Sequence, residues 1–444
     1  MLTGIKIGLL DHVGGGNLGD DATLDAVAVN IRRRRPDAEI VAFSMNPADT
    51  ETRHGIASHP IRRKSWCIGY RPAVPETSFK ERVKALTHGY SVIFYLLKGV
   101  TTLLRLPSEV FRELAFLVSS RRNLKSFDLL IISGGGQLTE KDGPWGFPYT
   151  IFKWVVLARS AGIRCMFLNV GAGPLTQPLS KFFVTRALLA ADYVSLRDNE
   201  SQALVCKIGF TSESRVCPDS VYGLGVVEEN GSPLDRCAQP IVGLAPMPYP
   251  GLRADLAAKD QIVYDEIIRK LAIFASRLVG QSYALTIFGT DIGVDPLAIE
   301  DLQMTLLRDH NITASEYGVN HPESVRDLLA MMSRMDYVVT CRFHGVVFAH
   351  LLNKPVLAIA HHRKVIDLMV DYELSSYCVD IRDFNLTLLT ERFSSMVTKA
   401  EEIKSCMAAR VTRNKQRLDS QFDELFRYQS FNGATVKLPR ERRA

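Results

Sequence analysis

The sequence has no Cys-x-x-Cys pair. Its eight cysteines stand at positions 67, 165, 206, 217, 237, 341, 378 and 406, several of them inside apolar runs. That spacing argues against a zinc site and against a disulfide framework, and points to reduced, buried thiols in a cytoplasmic protein. No stretch reaches about 18 uncharged apolar residues, which argues against a membrane-spanning helix. The opening MLTGIKIGLLDHVGGG lacks the cleavage pattern of a signal peptide and reads as a strand entering a glycine loop. Charge of one sign is scarce as well. Against 54 basic residues stand 48 acidic ones, leaving a net +6. With no recognisable nucleic-acid module beside that mild excess, no nucleic-acid partner is expected. Length is what the chain does have: 444 residues exceed one ordinary core, so two domains are expected.

The apolar runs supply the strands. Ile5 to Leu10 leads into GGGNLGDD at Gly14 to Asp21, then a helical stretch from Thr23 to Arg35, then a second run from Glu39 to Phe43. This is a βαβ unit, with Asp20 or Asp21 expected near the helix cap. Gly14, Gly16 and Gly19 spell G-x-G-x-x-G, but the second run ends in FSMNP, with no acidic residue for a ribose. NAD and FAD are therefore not expected. Phe127 to Ser133 runs into GGGQL, with Gly135 and Gly136, and Cys165 to Val170 runs into GAGPL, opened by Gly171. Three glycine-rich exits along one sheet edge mark a cleft where a ligand, or a facing domain, approaches backbone closely. Arg197 ends a further strand from Tyr193 and is a candidate anion ligand. Its alternative role is a local ion pair with Asp198 or Glu200.

An interruption at about 53–125 separates the second strand from Phe127. From Phe79 it reads as helical, with Phe79, Val83, Leu86, Tyr90, Ile93, Phe94 and Leu97 on one face. Residues 80–125 carry nine Lys/Arg and three Asp/Glu. A basic amphipathic insert of this kind, 79–125, fits peripheral contact with an anionic membrane surface. The alternative is a helical hairpin packed on its own domain. The first domain is taken as 1–230 and the second as 240–405, with a polar linker between. Strands and helices alternate again in the second, including a strand at Asn311 to Ser315 and a helix from Pro322 to Met335. A helix at 406–430 is expected to pack back on the first domain, and 431–444 reads as a basic tail.

Asp336 to Ile359, DYVVTCRFHGVVFAHLLNKPVLAI, reads as strand, loop, helix, turn and strand. Arg342 and His344 fall where the strand ends and the helix begins, the place where open α/β sheets bind ligands. Free N–H groups at a helix start favour an anion. Arg342 adds a planar cation suited to phosphate or carboxylate, and His344 a group that exchanges protons near neutral pH. Farther on, His361 to Lys364 crowd the end of the next strand. No carboxylate or third histidine lies at ligand spacing, so His361, His362, Arg363 and Lys364 read as facing phosphate or substrate rather than metal.

Two facing α/β domains with these glycine exits resemble the glycosyltransferase-B architecture: two doubly wound Rossmann-like domains across a cleft, here with a basic helical insert in the first. More narrowly, NLGDDATLDA, LLIISGGGQL, FLNVGAGPL, VSLRDNES, CPDSVYGL and TCRFHGVVFAHLLNKPVLAI, in that order, resemble the polysaccharide pyruvyl transferase family. The resemblance implies transfer of a pyruvyl group from phosphoenolpyruvate to two hydroxyls of a sugar, giving a cyclic ketal. It implies that Arg342 and His344 meet phosphoenolpyruvate, with Arg197 a further basic contact. Asp20, in the Asn17-x-Gly19-Asp20 pattern, becomes a candidate acid or base. Gly16, Asn17, Gly135, Gly136 and Gly171 are read as backbone contacts to substrate. No metal or cofactor is demanded, phosphoenolpyruvate being the donor substrate. The acceptor is a saccharide, and a lipid-linked one at the inner face of the membrane fits a membrane-docked insert. The competing readings are a glycosyltransferase using a nucleotide sugar and an inactive membrane-associated scaffold.

Overall fold

The computed structural model describes residues 4–63, 108, 110–225, 239–249 and 258–427. The amphipathic face expected at 79–97 and the basic tail lie outside the described residues. So does most of the linker. Of the insert, 110–124 is described and is helical. No helix among the described residues is long and apolar enough to cross a membrane.

Two parallel sheets carry the fold. Among the described residues the first has seven strands: β1 (Lys6–Leu10), β2 (Glu39–Ser44), β3 (Ser58–Pro60), β4 (Leu129–Ser133), β5 (Arg164–Val170), β6 (Tyr193–Leu196) and β7 (Arg215–Val216), in the order β3-β2-β1-β4-β5-β6-β7. The second has six: β8 (Ile241–Ala245), β9 (Ala284–Phe288), β10 (Tyr317–Asn320), β11 (Tyr337–Thr340), β12 (Val356–Ala360) and β13 (Cys378–Asp380), in the order β10-β9-β8-β11-β12-β13. The expected doubly wound α/β architecture is present twice. Strands such as LLIIS in β4 and VLAIA in β12 are buried along their whole length. A parallel sheet covered by helices on both faces demands such continuous apolar runs, because neither face meets water.

Strand order reverses between β1 and β4 in one sheet, and between β8 and β11 in the other. At such switch points the connections part to opposite faces and leave a crevice at the strand ends. The two crevices face one another across a direct backbone contact. Leu18 N donates to Thr290 O at 3.0 Å and Ile292 N donates to Gly16 O at 2.8 Å. One apolar core runs through both domains, joining Leu18 and Tyr222 to Val346 and Phe348.

The long helix Ala400–Phe422 starts beside the second sheet and ends against the first. Gln421 Nε2 donates to Tyr193 Oη at 2.9 Å, and Asn169 Nδ2 donates to Gln421 Oε1 at 3.0 Å. Arg34, whose side chain is only 1% exposed, pairs with Asp419 at 2.8 Å and with Asp423.

Several expected elements shift. The helix expected at 406–430 is Ala400–Phe422, and the one expected from Thr23 to Arg35 is Leu18–Arg34. The strand expected at Asn311 to Ser315 lies instead at Tyr317–Asn320. Asn311, at φ 55°, is the left-handed end of the preceding helix, and Thr313 N donates to the Glu316 carboxylate at 2.8 Å. Those local hydrogen bonds hold a turn where β-branched residues alone would favour a strand. The helix expected from Pro322 is Val325–Ser333. It starts later because Ser324 caps it, accepting from Asp327 N at 3.1 Å.

Candidate active site at the domain interface

The second domain brings Arg342 and His344. After β11, Arg342 holds extended backbone as the cap position of the helix Phe343–Leu351. Thr340 Oγ1 accepts from Arg342 N at 3.1 Å. A Cβ at Gly345 would lie 2.3 Å from the same hydroxyl, so only glycine lets the helix start this close to its strand. The Arg342 guanidinium donates to Asp295 Oδ1, from Nε at 2.9 Å, and lies 3.7 Å from Asp291 Oδ2. Asp295 is fully buried and is itself held by the backbone N–H of Thr290 at 2.9 Å and of Asp291 at 3.0 Å. The charge of Arg342 is therefore shared with two carboxylates from the loop after β9, which no local sequence pattern announces.

His344 sits in the first turn of that helix, 9% exposed. A Cβ at Gly19 would lie 2.0 Å from its Nδ1. Gly19 is thus glycine because the facing domain's imidazole lies against it. His344 Nε2 is 3.8 Å from Asp219 Oδ2 and has no hydrogen-bond partner. Burial lowers its pKa to about 4, so the imidazole is neutral at pH 7.

The first domain brings carboxyls. The cap of its first helix, Leu18–Arg34, is Asn17, whose Oδ1 accepts from Gly19 N at 2.9 Å. This corrects the expectation of a cap at Asp20 or Asp21: the carboxylates lie one turn further in and are free for other partners. Asp21 turns to Arg53 at 3.3 Å and His54 at 3.5 Å. Asp20 turns to the cleft, with Oδ1 3.1 Å from the place a Cβ would take on Gly135, which is left-handed at φ +54°. Burial, then the neighbouring carboxylates of Asp11, Asp21 and Asp291, push Asp20 well above the carboxylate range. Burial and these neighbours favour its neutral form. Asp11, fully buried, accepts from Ser133 Oγ at 2.8 Å and Gln137 Nε2 at 3.1 Å, and burial pushes it up to about 7.

Arg197 is 8% exposed. Its Nη1 donates to Asp219 at 3.0 Å, while Asp198 is 3.7 Å away. Its guanidinium lies 4.3 Å from the centroid of the Phe343 ring, and Nη2 is 2.8 Å from the Cβ position of Gly171. Arg197 is ion-paired chiefly with Asp219, which the sequence reading did not name, and only loosely with the expected Asp198; it stands at a glycine exit. Asp219 joins Arg197 to His344.

The structure brings Asp20, Gly135, Gly136, Gly171, Arg197 and His344 to one place. Gly16 and Asn17 stand at its edge and touch the loop at Asp291 and Gly293. His361 shares its Nδ1 with Cys341 O at 2.7 Å, and burial lowers it to about 4. Lys364 belongs to the run that the sequence reading already turns toward phosphate or substrate. It lies in the first turn of the helix Arg363–Asp371, and Nζ reaches across to Gly173 O at 3.4 Å and to 3.6 Å from the Cβ position of Gly136. Burial, then the charge of Arg197, lowers it to about 8. The run HHRK was the available signal, but only the turn of the helix selects which of the four points inward. The arrangement offers cations for an anionic group, a carboxyl whose neutral form is favoured and a neutral imidazole within one crevice.

A family model described as polysaccharide pyruvyl transferase matches residues 17–363, from the Asn17 cap to the helix that carries Lys364. The chain belongs to the polysaccharide pyruvyl transferase family. It is a transferase, of a family that moves pyruvyl groups to polysaccharide. No curated protein matches it in sequence. Among solved structures, UDP-GlcNAc 2-epimerase from Neisseria meningitidis bound to UDP-GlcNAc is similar at TM-score 0.57 and 10% identity, covering 95% of this chain and 99% of that one. Anabaena HepE in complex with UDP and glucose is similar at TM-score 0.54 and 13% identity, covering 96% and 100%. Identities this low carry the fold alone, the glycosyltransferase-B type that the two sheets already display.

Proposed function

We propose that this pyruvyl transferase takes its group from phosphoenolpyruvate and joins it to two hydroxyls of one sugar as a cyclic ketal. The reading rests on one observation above all. Arg197, Lys364 and His344 converge with Asp20, whose pKa is raised, between the two switch points, with Arg342 beside them. Phosphoenolpyruvate carries a phosphate and a carboxylate, and cationic forks with helix starts suit both.

The chemistry needs a proton at the methylene carbon and positive character at C2. One sugar hydroxyl adds to C2, the C2–O bond to phosphate breaks, and the second hydroxyl closes the ring. Of the two hydroxyl protons, one balances the proton delivered to carbon and the other leaves with phosphate. The surroundings of Asp20 favour its neutral form, which suits it to act as the acid toward carbon. His344, neutral, takes the proton from the attacking hydroxyl. That exchanges the roles most natural from residue type alone, and environment is the reason: His344 is buried and Asp20 half-buried, and desolvation favours the neutral form of each. The carboxylate of Asp219, 3.8 Å from Nε2, steadies the imidazolium by its charge.

The acceptor belongs to a cell-surface polysaccharide or its lipid-linked precursor, met at the cytoplasmic face of the membrane. Calorimetric titration tests the donor, with UDP-sugars and NAD as comparators. Saturable binding of phosphoenolpyruvate, weakened in Arg197→Ala, is the expected outcome. Binding of a UDP-sugar in its place, as in the epimerase bound to UDP-GlcNAc, would turn the account to glycosyl transfer.

A further inference from the structure

Three helices of the first domain lie side by side: 110–124, Phe147–Ala161 and Pro178–Leu189. Arg121 Nη2 donates to Ser160 O at 2.7 Å and Lys153 reaches Glu113 at 3.3 Å, which fixes the first on the second. Rings fix the second on the third: the Phe183 centroid lies 5.2 Å from that of Phe152 and 5.6 Å from that of Tyr149. A helix packed on a sheet buries one stripe and turns a polar one to water. These three bury their inner stripes, Leu124, Trp154 and Val184 among them. Their outer stripes are apolar as well. Phe111, Leu114 and Val118 recur at helical spacing and are exposed, Phe111 by 73%. Leu179 and Phe182 do the same on the third helix. The middle helix exposes Val156, and Trp145, 65% exposed, stands just before its start. Nine of the sixteen exposed large apolar side chains among the described residues belong to this layer, so they form a patch rather than a scatter. The long helix Ala400–Phe422 exposes none.

Charge selects the partner for this face. The exposed positions of the three helices include Arg112, Arg122, Arg159 and Arg186 and no carboxylate. Arg159 is shared with Asp192, outside the helices, at 3.0 Å. Glu113 is half-buried and turned to Lys153. A second copy of the chain docked here by two-fold symmetry would set arginines against arginines. An anionic bilayer answers both features of the face. Lipid phosphates meet the arginines, and the aliphatic and aromatic tips enter the acyl boundary. Trp145 and Tyr149 are the side chains that favour headgroup depth, one end apolar and the other wet. The Arg186 guanidinium lies 5.6 Å from the Phe182 ring centroid, a cation beside an apolar tip, as that boundary requires.

We infer that this three-helix layer is the surface by which the protein docks on an anionic membrane. It extends the contact expected of the basic insert to two helices outside it. Phe147–Ala161 and Pro178–Leu189 follow the glycine exits of β4 and β5, so both start at the crevice end of the first sheet. Glu140 ties those two starts together, accepting from Gln177 N at 3.0 Å. A bilayer under the layer therefore meets the side of the crevice mouth, where an acceptor held in that bilayer would arrive. The inference rests on the proposed lipid-linked acceptor for its purpose alone; the docking itself stands on the face.

The test floats the full chain with vesicles of phosphatidylglycerol and phosphatidylcholine in equal parts, and with phosphatidylcholine alone. Wild type floats with the first and far less with the second. Phe182→Glu and Leu114→Glu each remove an inserted side chain and add a repelled charge, and should lower partition by about tenfold or more. Arg122→Glu with Arg186→Glu should lower it on the anionic vesicles as well. Met304→Glu, at an exposed position of the second domain, floats as wild type. All of these positions are exposed, and thermal melts confirm that each variant is folded. Absence of flotation by wild type would overturn the inference. So would undiminished flotation of Phe182→Glu and Leu114→Glu, which would give the contact to another part of the chain. A wild-type dimer in sedimentation that the same two variants dissolve would also overturn it and assign the face to a second copy. Calorimetry with phosphoenolpyruvate on the same samples keeps the readings apart. Face-dependent flotation of a protein that takes no phosphoenolpyruvate removes the donor reading and leaves the docking face.

Discussion

In the first sheet the strand order reverses beside Asp11; in the second it reverses beside Arg342. Both side chains are charged types drawn into the fold at the point of the crevice, and they are satisfied in different ways. Asp11 is surrounded by neutral donors from Ser133, Gln137 and the His12 backbone, and burial leaves it close to half-protonated near pH 7. Arg342 is surrounded by the carboxylates of Asp295 and Asp291. Equal topology therefore does not dictate equal electrostatics. One switch point is a dry hydrogen-bonded acid, the other a fixed cation. Between them stand Asp20 and His344, one from each domain, and these should show the largest effects.

Asp20→Asn keeps the shape of the carboxyl and removes its proton, and His344→Ala removes the base. Each should lower turnover by about 10²–10⁴-fold, the usual contribution of a positioned acid or base. Phosphoenolpyruvate binding should change far less in Asp20→Asn. Steady-state kinetics with calorimetry on the same variants separates the two. Wild-type turnover by either variant would remove that residue from the mechanism.

The contrast between the switch points is broken next. Arg342→Ala leaves buried Asp295 without its cation and should cost about 3–5 kcal/mol of stability, read by denaturant unfolding. Arg342→Ala with Asp295→Asn should recover much of that stability but not turnover. Asp11→Asn should behave in the opposite sense. Its folded-state pKa lies above the unfolded value, so the carboxyl loses stability for the fold as pH rises from 3.8 through about 7. An amide can donate to Ser133 and still accept from Gln137. The variant should melt higher than wild type at pH 8 and close to it at pH 4.

How much of this stood in the sequence follows from what is local. β4 and β12 were legible because continuous burial leaves continuous apolar runs, and the three glycine exits because close backbone approach leaves no other residue possible. What the glycines approach was not legible. Gly19 meets an imidazole from more than three hundred residues away, and that is a property of domain docking. Asp295 and Asp219 were hidden for the same reason. Each is an ordinary acidic residue in its own stretch and becomes a partner only when Arg342 or Arg197 arrives. The cap at Asn17 was masked by two aspartates equally fit for the role. The displaced β10 was a choice between β propensity and side-chain hydrogen bonding, settled by Asn311.

A smaller effect sharpens the comparison in pH. His54, on the first domain, is held between Asp21 and Asp25. Burial opposes its charge, but hydrogen bonds and charges from both carboxylates outweigh burial and raise it to about 9. A base raised above its unfolded value of 6.5 gives stability that is complete below that pH and is lost as pH rises through about 9. Wild type should therefore lose melting temperature in two windows, pH 4–7 from Asp11 and pH 6.5–9 from His54. His54→Gln should flatten only the second. A decline between pH 7 and 9 that survives unchanged in His54→Gln would show that the Asp21–His54–Asp25 cluster does not carry it.

The smallest effect compares two helix caps. Ser324 caps Val325–Ser333 on an exposed edge of the second domain, and Asn17 caps Leu18–Arg34 at the interface. Removal of a capping side chain costs about 1 kcal/mol in either place, so Ser324→Ala and Asn17→Ala should unfold at similarly lowered denaturant concentrations. Their activities should part. Ser324 touches nothing in the crevice, and its variant should turn over as wild type. Asn17 fixes the first turn that carries Gly19 against His344 and Asp20 against Gly135. A shift of about 1 Å there is enough to cost a hundredfold, so Asn17→Ala should lose turnover well beyond its loss of stability. Equal activity in the two variants would mean that the second domain, rather than the cap, holds Asp20 in place through the contact of Gly16 with Ile292.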